Sequence, residues 1–142
     1  MKDEAPSHVI WEGLLSAALS ILERSYSPYS NFPVAAVVID EQGRQFGGVN
    51  VENASYGLTM CAERVAIYSA VAAGAKRIHA VGLLTKSRQR IAPCGACRQV
   101  LAEFCDASVP VVTDDGNGAL HSWSVGELLP SAFTPLDLLI EE

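Results

Sequence analysis

The sequence lacks the features of several protein classes. No apolar run approaches the roughly 18–20 residues needed to span a bilayer, so we expect no membrane partner. The opening segment, Met1 to Pro6, has no apolar core of a secretion signal, which favours a cytoplasmic protein. The chain shows no internal repeat, low-complexity tract or linker, and its length predicts a single domain over residues 1–142.

Basic residues are also scarce, and this argues against functions that need a basic surface. Lysine and arginine number 10 against 16 aspartates and glutamates, which gives a net charge of −6. Binding to a nucleic-acid backbone needs a basic surface, so we expect no nucleic-acid partner. Hydrophobic residues make up 49% and charged residues 18% of the chain, which argues against disorder.

Hydrophobic periodicity and turn residues predict an α/β protein. The predicted order of elements is α-β-β-α-β-α-β-β-α, which implies one sheet of about five strands between helical layers. The predicted helices cover residues 7–25, 61–74 and 93–105 and a short segment that a Ser124–Glu127 capping box begins. The predicted strands cover residues 34–39, 45–49, 78–85, 109–113 and 119–123.

Three cysteines and a glutamate occur in two short motifs, Cys61-Ala62-Glu63 and Pro93-Cys94-Gly95-Ala96-Cys97. Cys94 and Cys97 are one helical turn apart, so both sulfurs can face one point, and Cys61 adds a third ligand from another helix. Three thiolates hold zinc and leave its fourth tetrahedral position free for water, as in catalytic rather than structural sites. Glu63 lies two residues from a ligand and is close enough to exchange protons with that water.

The cysteines allow two other interpretations. A closed structural zinc site would need Cys105, which lies about 12 Å from Cys97 along a helix and is better interpreted as a small buried hydrophobe. A redox pair formed by Cys94 and Cys97 would leave Cys61 and Glu63 without a role. The histidines show no ligand spacing and are interpreted as structural: His8, His79 and His121.

Longer segments resemble cytidine deaminases of the small, homotetrameric type. The resembling segments are Ser27 to Val34, Asn50 to Arg64, Pro93 to Gln99, and Leu128 to Pro130 with Phe133. Zinc deaminases share a His- or Cys-x-Glu segment followed by Pro-Cys-x-x-Cys, in which the glutamate is an acid/base and not a ligand. The resemblance implies a three-layer α/β/α fold with a mixed five-stranded sheet, a zinc cofactor and a homotetramer with shared active sites.

The activity that this resemblance implies is hydrolytic deamination. The expected reaction converts cytidine and 2′-deoxycytidine to uridine and 2′-deoxyuridine with release of ammonia, in pyrimidine salvage. The alternative is the same chemistry on a modified cytosine nucleoside, as in blasticidin-S deaminase, or on N4-substituted cytidines. The basic segment Lys86 to Arg90 is either a solvated loop or a site for a modified or anionic ligand at the cavity rim.

The resemblance also implies how the substrate is held. Asn50 and Glu52 match residues that hydrogen-bond the ribose, chiefly its 3′-hydroxyl. Phe32 matches an aromatic side chain that packs on the pyrimidine ring. Ala54 and Ala62 would offer backbone groups to the edge of the base.

Four further residues are assigned by resemblance to the surroundings of the site. Phe133 matches an aromatic side chain that reaches the active site from another subunit, and Tyr56 would line the same interface. Three thiolates leave zinc with a net charge of −1, which weakens it as a Lewis acid. Arg64 and Arg98 would hydrogen-bond the ligand sulfurs and withdraw charge, and Arg64 is the better candidate because it belongs to the Cys-Ala-Glu-Arg segment.

Overall fold

A mixed five-stranded sheet forms the centre of the molecule. The computed structural model describes residues 8–87, 89–117 and 119–138, with side chains from Trp11 onward. Its elements are α1 (His8–Ile21), β1 (Val34–Asp40), β2 (Gln45–Val49), α2 (Ala62–Ala72), β3 (Ile78–Thr85), α3 (Gly95–Phe104), β4 (Pro110–Asp114), β5 (Leu120–Ser124) and α4 (Val125–Leu128). Short 3-10 turns cover Leu22–Arg24, Tyr56–Leu58 and Pro135–Leu138. The predicted order of helices and strands is confirmed.

The strands lie in the order β2-β1-β3-β4-β5. Only β3 and β4 are parallel, because the chain crosses over through α3 between them, and every other neighbouring pair is antiparallel. The sheet is therefore mixed, as expected.

The central strands are buried on both faces, and helices cover each face. On one face, Val38 of β1 lies in a hydrophobic cluster with Ile67 of α2 and Leu101 of α3. On the other face, Val37 lies in a cluster with Leu14 of α1. Alternate residues of one strand thus contact opposite helical layers, which confirms the three-layer α/β/α arrangement. None of the helices in the described part of the chain combines the length and apolar character needed to span a bilayer.

The backbone of α2 lies directly against β2 at Gly48. A Cβ atom on Gly48 would lie 2.4 Å from the amide nitrogen of Ala66 and 2.5 Å from the carbonyl oxygen of Ala62. Those two atoms belong to the first full turn of α2, so only a glycine permits this approach. The contact fixes where the N-terminus of α2 lies on the sheet.

The ends of the central helices follow the sequence closely. Cys61 is the N-cap of α2, and Gly74, with a φ of +98°, follows the C-cap as predicted for a C′ glycine. Cys94 and Cys105 are the N-cap and C-cap of α3. Helix geometry therefore places the three candidate ligands in two N-terminal turns.

The first helix is shorter than the predicted span of 7–25, of which residue 7 lies outside the described residues. Helix α1 ends at Ile21, because the chain after the following 3-10 turn pairs with the segment around Asn50. The Tyr26 amide donates to the Asn50 carbonyl at 3.1 Å, and the Glu52 amide donates to the Tyr26 carbonyl at 2.8 Å. These bonds bring the loop after α1 alongside the candidate ribose-binding residues.

Candidate active site

Three cysteine sulfurs converge at the N-termini of α2 and α3. The Sγ atoms of Cys61, Cys94 and Cys97 all lie within 4.8 Å of one another, and those of Cys61 and Cys94 are 3.6 Å apart. Ligand sulfurs about 2.3 Å from a tetrahedral zinc ion are about 3.8 Å apart, so the spacing fits zinc. The positive end of each helix dipole also favours the thiolate form.

Arg64 places positive charge against this cluster. Its Nη2 donates to the Sγ atom of Cys61 at 3.4 Å. Hydrogen bonds from the Cys97 thiol and from Arg64 outweigh burial and lower the pKa of Cys61 to about 5. The Nε atom of Arg64 is buried and has no hydrogen-bond partner among the described residues. The contact predicted between this guanidinium and a ligand sulfur is therefore present.

Arg98 lies beside the cluster but makes different contacts. Its Nε donates to the Pro93 carbonyl at 2.8 Å, and its Nη1 donates to the Leu128 carbonyl at 2.9 Å. These bonds hold the segment that precedes Cys94 against the end of α4. The predicted contact of Arg98 with a ligand sulfur stays a prediction.

Cys105, His79 and His121 do not belong to the three-cysteine cluster. Cys105 lies in the hydrophobic cluster beneath α3, where burial raises the pKa of its thiol to about 12. This agrees with its interpretation as a buried hydrophobe. His79 is exposed on β3, and the ring of His121 lies edge-on to Trp123 with centroids 4.6 Å apart. The side chain of His8 lies outside the described residues.

Glu63 is a buried carboxyl beside two of the sulfurs. It is 4% exposed, follows Ala62 in the first turn of α2 and lines the same cavity as Cys61 and Cys94. Burial, the largest cause, and the negative charge of Cys61 raise the pKa of Glu63. A carboxyl held in this way is suited to accept a proton and return it.

The cavity next to the cluster has a volume of about 330 Å³, within the range of small-ligand sites. It brings together most of the residues predicted from the sequence. Those predicted residues are Phe32, Asn50, Glu52, Cys61, Ala62, Glu63 and Cys94. The ring of Phe32, the polar side chains of Asn50 and Glu52, and the carboxyl of Glu63 thus line one space.

Five residues that line this cavity were not predicted from the sequence. They are Ser30, Val34, Thr59, Ile91 and Ala92. The signal for Ile91 and Ala92 was their position immediately before Pro93-Cys94. Ser30 lies within the resembling segment Ser27 to Val34, which was interpreted only through Phe32.

Asn50 is 8% exposed, and its amide is held on both sides by backbone groups. Its Oδ1 accepts from the Val34 amide at 2.9 Å, and its Nδ2 donates to the Phe32 carbonyl at 2.8 Å. Oδ1 also forms a short hydrogen bond with the Ser25 hydroxyl. Asn50 therefore fixes the backbone on either side of Pro33 as well as lining the cavity.

Glu52, like Asn50, both binds the neighbouring backbone and lines the cavity. Its Oε1 accepts from the amides of Tyr29 and Ser30 at 2.9 and 3.1 Å, and its Oε2 accepts from the Ser30 hydroxyl. Hydrogen bonds from the Ser30 side chain and from these amides outweigh desolvation and lower the pKa of Glu52. The carboxylate is therefore charged at neutral pH and remains an acceptor toward the cavity.

Three of the residues predicted to contact the substrate, Ala54, Tyr56 and Phe133, lie outside the walls of this cavity. Tyr56 is 73% exposed and lines an adjoining cleft of about 260 Å³ that shares Glu52 with the main cavity. Its ring lies edge-on to Tyr29 with centroids 5.6 Å apart. Ala54 is exposed on the same loop, and Phe133 is 57% exposed, with its carbonyl bound by Gln99 at 2.8 Å.

Comparison with known proteins assigns the chain to a family. Residues 11–113 match the family described as the cytidine and deoxycytidylate deaminase zinc-binding region. This chain belongs to that family. It is 41% identical to a cytidine deaminase of Sporosarcina psychrophila over 89% of this chain and 93% of the relative. It is 42% identical to a cytidine deaminase of Halalkalibacterium halodurans over 88% of this chain and 95% of the relative.

A solved deaminase structure has the same fold. The crystal structure of cytidine deaminase from Burkholderia pseudomallei superimposes with a TM-score of 0.81 at 44% identity. The match covers 90% of this chain and all of the other chain. Family membership and the spacing of the three sulfurs identify the metal of this deaminase as zinc.

Proposed function

We propose that this protein deaminates cytidine and 2′-deoxycytidine to uridine and 2′-deoxyuridine, with release of ammonia, in pyrimidine salvage. The observation that carries the proposal is the position of Glu63 in one cavity with Cys61 and Cys94, two of the three cysteines whose sulfurs converge. Residues 1–142 act as one deaminase domain in the cytoplasm. The cytidine deaminases that align over most of the chain support this substrate class.

Glu63 is the proton carrier of the proposed reaction. Cys61, Cys94 and Cys97 would hold zinc, and the bound metal would lower the pKa of the attacking water toward about 7. Glu63 accepts a proton from that water and passes it to N3 of cytosine, which makes C4 more electrophilic. After hydroxide adds to C4, Glu63 takes the proton of the new C4 hydroxyl and delivers it to the 4-amino group. The C4–N bond then breaks, ammonia leaves and C4 becomes a carbonyl carbon.

The other residues predicted to contact the substrate orient the nucleoside. Phe32, which is 37% exposed, presents its ring to the pyrimidine. Glu52 accepts a hydrogen bond from the ribose, and Asn50 lies beside it in the same cavity. Ala62 and Ala54 offer backbone groups to the edge of the base. Together these contacts hold C4 at the end of the cavity where Glu63 lies.

The proposed active form is a homotetramer in which neighbouring chains complete each site. Phe133 is 57% exposed, and Tyr56 is 73% exposed in the cleft that adjoins the cavity, so each offers an aromatic surface to a neighbouring chain. In the assembly, Phe133 of one chain closes the substrate cavity of the next chain.

Arg64, and with it Arg98, lowers the negative charge of the three-thiolate site.

The test is ammonia release by the zinc-loaded protein supplied with cytidine. We expect release of one ammonia for each uridine formed, with 2′-deoxycytidine used as well. An N4-substituted cytidine and blasticidin S are supplied in parallel, because a deaminase of modified nucleosides would prefer one of these. The proposal is wrong if cytidine is not converted while zinc is retained and the assembly is intact.

A further inference from the structure

A serine outside the cavity contacts a residue that lines it. Ser25 follows the 3-10 turn after α1, and its hydroxyl bonds to Oδ1 of Asn50. Ser25 is half-buried and lines a separate groove of about 440 Å³ with Leu22 and Lys86. Ser25 is therefore connected to the wall of the substrate cavity through its hydrogen bond to the side-chain amide of Asn50.

The orientation of that amide is determined by its backbone partners. A backbone N–H only donates, so the Val34 amide must face Oδ1 of Asn50, at 2.9 Å. A backbone carbonyl only accepts, so the Phe32 carbonyl must face Nδ2, at 2.8 Å. The Ser25 hydroxyl therefore donates to Oδ1, which has no proton to give.

Among the described residues, the hydrogen bonds of the Asn50 amide leave one N–H of Nδ2 for a ligand. Oδ1 of Asn50 has two lone pairs, which the Val34 amide and the Ser25 hydroxyl occupy. Nδ2 carries two protons, and one of them is donated in a hydrogen bond to the Phe32 carbonyl. The remaining Nδ2 proton is a donor, whereas the carboxylate of Glu52 in the same cavity only accepts. One donor and one acceptor suit a hydroxyl group, which both accepts and donates.

We propose that Ser25 is a positioning residue for recognition of a sugar hydroxyl. By occupying the second lone pair of Asn50 Oδ1, it holds the amide so that its spare N–H serves the substrate. Without Ser25, that lone pair is open to water or to the substrate hydroxyl itself, and one of three bonds that fix the amide is lost. The inference rests on the proposed function and adds a residue that touches no substrate.

The test compares two substrates that differ in one hydroxyl. The ratio of kcat/KM for cytidine to kcat/KM for 3′-deoxycytidine is measured for the wild-type protein and for Ser25→Ala. We expect Ser25→Ala to reduce this ratio about three- to tenfold, the size of one net hydrogen bond, mainly through a higher KM for cytidine. Ser25→Thr, which keeps the hydroxyl, should restore the ratio to within about twofold.

A matched control removes a serine hydroxyl elsewhere on the same segment of chain. Ser20 is exposed on α1, where its hydroxyl bonds to the Ala17 carbonyl, and Ser20→Ala should leave the ratio unchanged. If Ser25→Ala does not fold, Ser25→Cys is measured in its place, since a thiol is a weak donor of nearly the same shape. The same fall in the ratio is expected.

The outcomes separate this inference from the proposed function. An equal loss on both substrates in Ser25→Ala overturns the inference, because it indicates only a structural role. A wild-type protein that converts cytidine but does not prefer it to 3′-deoxycytidine also overturns the inference and leaves the deaminase assignment standing. A wild-type protein that converts neither substrate overturns both.

Discussion

The two walls of the substrate cavity are built differently. The catalytic wall, named after the role proposed for Glu63, lies at the N-termini of two α-helices. Cys61 and Cys94 are the N-caps of these helices, and Glu63 lies in the first turn of α2. The sugar wall lies on irregular chain, where the side chains of Asn50 and Glu52 themselves bind the neighbouring backbone. The helices leave the catalytic side chains free for chemistry, whereas the sugar-wall side chains both hold their loop and face the ligand.

This contrast predicts different consequences of substitution. A change on the catalytic wall should remove chemistry or metal and leave the loops in place. A change on the sugar wall should alter affinity and local stability together, because one side chain serves both purposes. Four substitutions, from the largest expected effect to the smallest, examine this difference.

Removal of one zinc ligand should abolish turnover. We expect Cys97→Ala to lose bound zinc, because two thiolates remain of the three that converge in the site. Metal content and ammonia release measure the effect. The matched control is Cys105→Ala at the far end of the same helix, which should keep its zinc. Full zinc content in Cys97→Ala would contradict the assignment of this ligand.

Loss of Glu63, the proposed proton carrier, should reduce turnover without loss of metal. Glu63→Gln keeps the size of the side chain but cannot accept and return a proton, so kcat should fall about 10²- to 10⁴-fold. Zinc content and melting temperature should stay close to those of the wild-type protein. Glu103→Gln, an exposed glutamate on α3, provides the control. Near-normal turnover in Glu63→Gln would rule out its role.

On the sugar wall, Glu52→Gln should affect binding and the loop together. The neutral amide weakens the acceptor for the ribose and replaces the charged partner of the Tyr29 and Ser30 amides. We expect kcat/KM for cytidine to fall about 10- to 100-fold, mainly through KM, as for hydrogen bonds to a charged group. Proteolysis of the segment around Ser30 should become faster. A fall in kcat alone would contradict the division into two walls.

The smallest effect is expected for substitution of Gly48, which tests how β2 supports the helix α2 of the catalytic wall. A methyl group there would meet the backbone of α2 at Ala62 and Ala66, so Gly48→Ala should destabilise the fold by about 1–3 kcal/mol. Because α2 must move, kcat should fall more than the KM for cytidine rises. Gly13→Ala on the exposed side of α1, where a Cβ meets nothing within 4 Å, should not destabilise. An equally stable Gly48→Ala would show that α2 adjusts without cost.

The catalytic wall was largely predictable from the sequence. Cys94 and Cys97 are one turn apart, and a helix converts that spacing into a common direction. The boundaries of β2 and β3 were also predicted as observed, since each is a short segment between turn residues. Local rules were sufficient wherever the backbone alone places the side chain.

The sugar wall was less predictable because its contacts join distant parts of the chain. Asn50 contacts Val34 and Ser25, which lie 16 and 25 residues away, and no periodic pattern relates these positions. Arg98 was predicted, with Arg64, to bind the ligand sulfurs, but one of its hydrogen bonds goes to the Leu128 carbonyl, 30 residues away, which only the folded chain brings near. Side chains that bind remote backbone leave no regular signal in a sequence.

Two adjacent residues of helix α3, Arg98 and Gln99, attach it to the segment from Leu128 to Phe133. Arg98 binds the Leu128 carbonyl, and Gln99 binds the Phe133 carbonyl, within two residues of the ligand Cys97. In the proposed tetramer, zinc and the neighbouring subunit therefore act on one helix. By thermodynamic linkage, whatever factor zinc adds to the affinity between subunits, association adds to the affinity for zinc. The metal content of the protein should then depend on its concentration, as a property of the assembly and not of the single chain.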